Sequence, residues 1–231
     1  MLSCVSGLLV TLEVHVESEG SKSIVLAGVF LGRFPHMCAF FDDRDDEFAC
    51  FLPFMREGIE AGEKAYHVVD PALRDDHLER LKLGGIDVDQ VQRTGQLEVI
   101  GWDEHYLRGG RFDQEATLAL IREILDRARA EGYPRTRMVA RAEWALEGLD
   151  SSQIVAYEAR LNGQLQGYDD LIICMYDPTK FAGPTVLDVL RTHPMAVVGG
   201  VPRENPFFSP PAEFMVELLS RRDGRNRRPR T

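Results

Sequence analysis

Four residues of this 231-residue sequence have side chains that can bind metal ions: His36, Cys38, Cys174 and His193. Imidazole and thiolate groups bind Zn²⁺ and other soft metals, and His36 and Cys38 would share one face of a strand. However, Cys38 and Cys174 fall inside apolar runs, where a free cysteine usually packs as a small hydrophobic side chain. A structural or redox-sensing role is therefore the alternative to a metal site.

Aromatic and acidic side chains form a second set, because each follows directly after a predicted strand. Ligands of open α/β sheets bind beyond the carboxyl ends of the strands. Trp102, Trp144 and Tyr176 beside several carboxylates suit an organic ligand with one or two polar groups, and a loop from Tyr106 to Phe112 could form a lid. Alternatively, the two tryptophans close the sheet edge. The predicted ligand-binding residues are Phe41, Trp102, Tyr106, Glu143, Trp144, Tyr176 and Asp177.

Glu143 lies between a buried strand and Trp144, so its carboxylate needs a partner. That partner is a ligand, a cation or a water in one interpretation. In the other it is a nearby arginine, Arg137 or Arg141.

The turn after the first core strand, residues 42–47, contains five carboxylates and neither glycine nor lysine. The carboxylates would repel a polyphosphate, and the sequence has no GxxxxGK[ST] motif, so a phosphate-loop ATPase is disfavoured. The acids could hold Mg²⁺ or Ca²⁺, or simply form the solvated amino end of a helix. No nucleophile elbow or HExxH motif occurs either. We therefore expect no enzymatic activity, and the sequence identifies no cofactor.

Apolar runs alternate with amphipathic segments, which predicts a doubly wound, mostly parallel α/β sheet of about six core strands with helices on both faces. The predicted strands are Met37–Phe41, Ala65–Val69, Leu97–Ile100, Met138–Ala142, Leu171–Tyr176 and Met195–Val198. The predicted helices are one around Phe48–Ile59, then Ala72–Leu83, Gln114–Glu131, Ser151–Leu165 with Ser151 or Ser152 as its N-cap, and Pro184–Arg191.

The two ends differ from this body. Residues 1–35 are predicted to be a β-rich extension, with strands at Leu9–Val16 and Ile24–Leu31. The α/β domain is predicted over residues 36–220. Residues 221–231, with six arginines and one aspartate, are predicted to be a basic disordered tail in which Gly224, Asn226 and Pro229 break any helix.

Composition excludes several classes of protein. The net charge of −10 argues against a direct nucleic-acid binder, because neutralising phosphates needs a basic surface. The four cysteines show no disulfide or CxxC pattern, which favours reduced thiols in a cytoplasmic protein. No run of about 18 apolar residues occurs, so we expect no membrane span.

The ordered motifs between His36 and Met215 resemble the MEDS domain, a methanogen/methylotroph sensory domain named after a dichloromethane-responsive regulator. Each motif alone is weak, whereas the ordered set is specific. The matching stretches are His36–Phe41, Leu52–Glu63, Gly95–Leu97, Tyr106–Phe112, Glu143–Leu146, Tyr157–Asn162, Cys174–Asp177, His193–Pro194, Gly199–Gly200 and Asn205–Pro206.

This resemblance implies a RecA-like fold with a degenerate phosphate loop, used to sense small organic molecules such as hydrocarbon derivatives. Family members are often fused to DNA-binding or histidine-kinase domains, and no such segment can be recognised in this sequence. We therefore expect a stand-alone sensory protein that relays ligand binding to a kinase or transcription regulator, or through its own oligomeric state. A divergent nucleotide-binding protein and a pure protein-interaction module are the alternatives.

Overall fold

A computed structural model describes residues 24–31 and 36–226 of the chain. Its strands are β1 Ile24–Leu26, β2 Val29–Leu31, β3 His36–Phe40, β4 Lys64–Val69, β5 Leu97–Gly101, β6 Thr136–Arg141, β7 Leu171–Tyr176, β8 Met195–Val198 and β9 Val201–Glu204. Its α-helices are α1 Arg44–Glu60, α2 Arg74–Leu83, α3 Val88–Arg93, α4 Trp102–His105, α5 Gln114–Ala130, α6 Ser151–Gln164, α7 Gly183–Thr192 and α8 Pro211–Asn226. Two 3₁₀ turns, Pro71–Leu73 and Glu143–Leu146, follow β4 and β6.

Seven of the described strands form one sheet, in the order β5-β4-β6-β7-β3-β8-β9. Every pairing in this sheet is parallel except that of β8 with β9, which is antiparallel. The β3 strand lies between β7 and β8, with Cys38 opposite Cys174 on one side and Ala196 on the other. The six predicted core strands are all present, and the doubly wound, mostly parallel arrangement is confirmed.

Each face of the sheet is covered by its own hydrophobic core, because successive residues of a strand point to opposite faces. Met37 and Ala39 pack in one core with α1, α2, α3 and the β1–β2 hairpin. Cys38 packs in the other core with α5, α6, α7 and α8. The chain thus leaves β3 towards one face and β7 towards the other, which separates their following loops at the carboxyl edge.

The predicted β-rich run Ile24–Leu31 is a hairpin rather than one strand. Its turn residues Ala27 and Gly28 both have positive φ, 47° and 78°, the backbone of a tight two-residue hairpin turn. The predicted strand Leu9–Val16 and residues 227–231 lie outside the described residues.

Three further differences concern helix α6 and the carboxyl-terminal part of the chain. The N-cap of α6 is Asp150, whose side chain accepts a hydrogen bond from the backbone of Ser152 at 2.7 Å, so the predicted serine cap is wrong by one or two positions. Strand β9 and helix α8 were not predicted.

Helix α8 also corrects the predicted tail, because it continues through Gly224 to Asn226. Phe214 and Leu218 bury one face of this helix in the core, and Arg221 donates to Asp188 at 2.9 Å. The helix therefore extends past Arg221 despite the weak helix propensity of glycine and asparagine. Among the described residues, no helix is both long and apolar enough to span a bilayer.

Candidate functional site

A pocket of about 180 Å³ opens at the carboxyl edge of the sheet. Five neighbouring strands, β5, β4, β6, β7 and β3, supply its wall through the residues that follow them. This is the edge at which α/β sheets bind ligands, and here the loops after β3 and β7 diverge to opposite faces. The lining residues are Phe41, Asp42, Asp43, Arg44, Glu47, Asp70, Leu73, Trp102, Arg141, Glu143, Asp177 and Lys180. We call this the rim pocket.

Four of the seven predicted ligand-binding residues line the rim pocket: Phe41, Trp102, Glu143 and Asp177. The structure brings them together from four different strands. Their side chains combine aromatic surface with carboxylates, as the sequence predicted. Whether they bind a ligand stays a prediction.

The other three predicted residues, Tyr106, Trp144 and Tyr176, are buried in the core and do not line the pocket. Tyr106 and Trp144 stack with ring centroids 4.2 Å apart and planes 11° from parallel. The 3₁₀ turn after β6 sends Glu143 to the pocket and turns its neighbour Trp144 into the core.

Phe112 and Tyr157 complete the aromatic cluster around Trp144. The segment from Tyr106 to Phe112 is therefore anchored in the core at both ends, and its predicted role as a lid over the rim pocket is wrong.

The floor of the rim pocket is a buried ion network centred on Arg141. Its guanidinium donates two hydrogen bonds to Glu143, at 3.1 and 2.8 Å, and one to Glu47. All three side chains are less than a tenth exposed. Arg141 is thus the partner that Glu143 requires, whereas Arg137 pairs with Glu63 at 2.5 Å.

The network leaves one carboxylate in excess, because one guanidinium faces two acids. Burial raises the pKa of the Glu47 carboxyl, and the attraction of Arg141 and Arg44 offsets only part of that rise. Burial would lower the pKa of Arg141, but its hydrogen bonds to Glu143 and Glu47 outweigh this and raise the pKa. The floor therefore favours positive charge or hydrogen-bond donors above it.

The acidic turn forms the amino end of α1. The Asp43 carboxylate accepts hydrogen bonds from the backbone N–H groups of Asp45 and Asp46, at 2.7 and 3.1 Å. Asp45 itself pairs with Arg80 of α2 at 2.5 Å, away from the pocket wall. The helix-terminal N–H groups that commonly bind phosphate in this type of fold are thus occupied by the protein's own carboxylate.

Carboxylates also dominate the whole pocket wall. Among the described residues that line it, six are acidic and three are basic, which gives a formal net charge of −3. Burial tends to raise the pKa of Asp177, but hydrogen bonds from Thr179 and Lys180 outweigh this and lower the pKa. Asp177 thus contributes a charged carboxylate to the wall.

The second predicted set lies on the face of β3 and β7 that α5, α6, α7 and α8 cover, and none of its members lines the rim pocket. Cys174 Sγ lies 3.4 Å from His36 Nε2, and His193 lies beside the same point. The fourth member is Glu158 of α6, not Cys38. Cys38 instead points its Sγ towards the Met195 carbonyl at 3.8 Å. We call His36, Glu158, Cys174 and His193 the His–Cys–Glu cluster.

Sequence reasoning missed Glu158, although the sequence contains a signal for it. Ile154, Glu158, Leu161 and Leu165 follow one another at helical spacing, so the glutamate interrupts an apolar stripe. Its side chain is only 2% exposed. A charged residue at such a position requires buried partners.

Burial and mutual contacts shift the pKa values of residues in this cluster. Burial raises the pKa of the Cys174 thiol well above its usual value. Burial would also raise the pKa of Glu158, but hydrogen bonds with His193 and His36 reverse the shift and hold it far below the usual range. The two imidazoles therefore favour the charged form of the buried Glu158 carboxylate.

Comparison with solved structures supports the fold. A KaiC-like protein from the hyperthermophilic archaeon Pyrococcus horikoshii OT3 superposes with a TM-score of 0.51, at 16% sequence identity, over 74% of this chain and 73% of that one. The sheet is thus RecA-like, as expected.

Comparison of sequences relates the chain to a regulator. It is 24% identical over 170 residues to the transcriptional repressor DcmR of Methylorubrum extorquens, covering 73% of this chain and 61% of the repressor. The chain thus matches less than two thirds of that protein's length. The model of the "MEthanogen/methylotroph, DcmR Sensory domain" family matches residues 35–194, more than half of the chain. The relatives therefore indicate a sensory or regulatory role, and the chain belongs to the MEDS family of sensory domains.

Proposed function

We propose that this sensory domain binds a small organic molecule in the rim pocket and relays its presence to a signalling partner. The observation that supports this most is the position of the pocket, at the carboxyl ends of five strands where the loops after β3 and β7 diverge. Such a crevice contacts several elements at once, so a ligand in it can shift their relative positions.

The size and lining of the pocket suggest the chemistry of the ligand. A volume of about 180 Å³ is below the range of about 300–1,000 Å³ typical of drug-sized ligands, so the ligand has only a few non-hydrogen atoms. Phe41, Leu73 and Trp102 supply an apolar wall. The excess of carboxylates selects a cationic group or a hydrogen-bond donor at the other end of the molecule.

A nucleotide fits this pocket poorly. Asp43 occupies the N–H groups at the start of α1. Five further carboxylates line the same wall, those of Asp42, Glu47, Asp70, Glu143 and Asp177. We also propose that the site is not catalytic. Among the described residues that line it there is no serine, cysteine or histidine to act as a nucleophile.

The partner is proposed to be a kinase or a transcription regulator. The relation to a transcriptional repressor supports a regulator, although the match covers only 61% of its length. Any relay requires a ligand that binds two conformations with different affinity. The turn after β7, where Lys180 pairs with Asp177 at 3.3 Å, is the part of the pocket wall that we expect to change conformation when a ligand binds.

Native mass spectrometry of the full chain tests the proposal, before and after incubation with small amines, alcohols and acids. Leu73→Trp should fill the half-buried wall of the pocket, whereas Leu83→Trp replaces a residue that is 79% exposed and lies outside it. We expect a non-covalent added mass on the wild type and on Leu83→Trp, and little on Leu73→Trp. Equal added mass on both variants, or none on the wild type, would contradict the proposal.

A further inference from the structure

We propose that His36, Glu158, Cys174 and His193 form a buried zinc site, separate from the rim pocket. The four residues come from β3, α6, β7 and the junction of α7 with β8. Each is at most 2% exposed, and one ligand atom from each lies within 4.8 Å of all the others. A metal here would join β3, β7 and the α7–β8 junction to helix α6.

Four of the six separations between the ligand atoms are close to those of a tetrahedral zinc site, and the other two, from His193 to His36 and to Cys174, are within 4.8 Å. Zinc bonds of about 2.0–2.1 Å to nitrogen or oxygen and about 2.3 Å to sulfur give ligand–ligand separations of about 3.3–3.6 Å. Glu158 Oε2 lies 3.2 Å from His36 Nε2 and 3.5 Å from His193 Nε2. Cys174 Sγ lies 3.5 Å from the same carboxylate oxygen.

Outer hydrogen bonds orient both imidazoles as zinc ligands. His193 Nδ1 is 2.7 Å from the Val189 carbonyl, and His36 Nδ1 is 3.3 Å from Asn162 Oδ1. The Asn162 side-chain nitrogen donates to the Thr192 carbonyl at 2.8 Å, which leaves its oxygen to accept from His36. With a proton on each Nδ1, both Nε2 lone pairs point into the cluster.

The carboxylate is oriented in the same way. Tyr176 donates its hydroxyl to Glu158 Oε1 at 2.5 Å, which leaves Oε2 facing the two histidines and Cys174. The Nε2 atom of His193 is fully buried and faces Glu158 Oε2 at 3.5 Å, the limit of hydrogen-bond distance. A buried nitrogen held this loosely by a carboxylate can bond instead to a metal ion that the carboxylate and the thiol share.

The charges of this set also suit zinc. One thiolate and one carboxylate balance the two charges of Zn²⁺, and two neutral imidazoles complete the shell, so a fully buried site is electrically neutral. Nitrogen and sulfur ligands select zinc over magnesium or calcium, which prefer oxygen. With four protein ligands the site is closed, as in zinc sites that stabilise a fold.

The test measures the metal content of the full-length protein by inductively coupled plasma mass spectrometry, after purification without chelators. Cys174→Ser removes one ligand, and Cys38→Ser is the matched control, because Cys38 is also buried on the same face but lies outside the cluster. We expect about one zinc per chain in the wild type and in Cys38→Ser. Cys174→Ser and Glu158→Gln should bind zinc at least tenfold more weakly.

A second measurement keeps the test valid if a variant fails to fold. Wild-type protein refolded with Co²⁺ should show the near-ultraviolet absorption of a cobalt–thiolate bond, and Cys38→Ser should show the same band. Absence of both zinc and this band in the folded wild type would overturn the proposal. So would a zinc content in folded Cys174→Ser equal to that of the wild type, or a different metal in the same stoichiometry.

Discussion

Arg141 shows at the scale of single residues how the pocket floor depends on pairing. It is 8% exposed and holds two buried carboxylates, Glu47 and Glu143, in place. A buried ion pair adds little to stability compared with apolar side chains of the same shape, but breaking it leaves an uncompensated charge.

We predict that Arg141→Gln lowers the free energy of unfolding by about 3–5 kcal/mol, because two acids would then be buried together. The matched variant is Arg160→Gln, since Arg160 pairs with Glu115 at an exposed site. That change should cost less than about 1 kcal/mol. Urea denaturation of both variants measures the difference, and similar losses would contradict this view of the pocket floor.

Buried histidines outside both sites give the fold a pH dependence. Burial lowers the pKa of His105 from 6.5 to about 4 and has the same effect on His67. The unfolded chain therefore takes up protons below pH 6.5 that the folded chain does not take up until about pH 4. Each histidine contributes stability that is complete above pH 6.5 and declines as the pH falls towards 4.

We predict that this decline is smaller in His105→Gln than in the wild type. A group with this pKa shift loses about 1.4 kcal/mol per pH unit below 6.5, or about 2 kcal/mol between pH 6.5 and 5. The unfolding free energies of the two proteins should therefore converge by about that amount over this range. Parallel pH profiles would show that His105 is not held neutral.

Sequence reasoning identified most of these residues but not their surroundings. The position of Glu143 after a buried strand was enough to predict that it needs a partner, and Arg141 was one of the candidates. Trp144 was assigned to the pocket because the sequence cannot show that a 3₁₀ turn rotates it into the core. Glu158 was missed because its partners lie 16 to 122 residues away in the chain, as the distances to Cys174 and His36 show.

At the scale of elements, two glycines within helices differ in the space around them. Gly163 lies on the exposed side of α6, and a Cβ atom there would meet nothing within 4 Å. Gly58 lies in α1 against Arg137, where a Cβ atom would be 2.6 Å from Nε. Arg137 cannot withdraw easily, because it is buried and bound to Glu63 and to the Phe54 carbonyl.

We predict that Gly163→Ala raises the free energy of unfolding by about 0.5–1 kcal/mol, since alanine has less backbone freedom to lose in a helix. Gly58→Ala should lower it by about 1–3 kcal/mol through the contact with Arg137. Chemical denaturation of both variants measures these changes in the free energy of unfolding. A gain in stability for Gly58→Ala would mean that α1 and β6 are packed less closely than described.

Elements with a strong hydrophobic pattern could be predicted from the sequence, whereas elements with a weak pattern could not. Strands β7 and β8 were predicted to the residue, because they are short apolar runs bounded by polar turns. Strand β9 contains Pro202, Arg203 and Glu204, and as an edge strand it lacks the apolar run of a buried one. Helix α8 depends on packing of Phe214 and Leu218, which local propensity does not reveal.

At the scale of the whole molecule, the topology builds two candidate sites on the same strands. The rim pocket lies beyond the carboxyl ends, whereas the His–Cys–Glu cluster begins at the first residue of β3. Strand β7 connects them, since Tyr176 donates to Glu158 and the next residue, Asp177, lines the pocket. The doubly wound fold could be predicted from the alternation of strands and helices, but the depth and charge of the pocket required side-chain positions.

Binding of a small organic molecule in the rim pocket can be tested directly by fluorescence. It has only two tryptophans, Trp102 on the pocket wall and Trp144 in the aromatic cluster. In Trp144→Phe the fluorescence reports the pocket alone, and in Trp102→Phe it reports the cluster alone.

The measurement is a titration of both variants with propylammonium, propanol and propionate, which have similar size and differ in charge. We predict a saturable change of Trp102 fluorescence with propylammonium, a weaker one with propanol, none with propionate, and no change of Trp144 fluorescence with any of the three. A flat response of Trp102 to all three compounds, or a saturable response of Trp144 alone, would contradict ligand binding in the rim pocket.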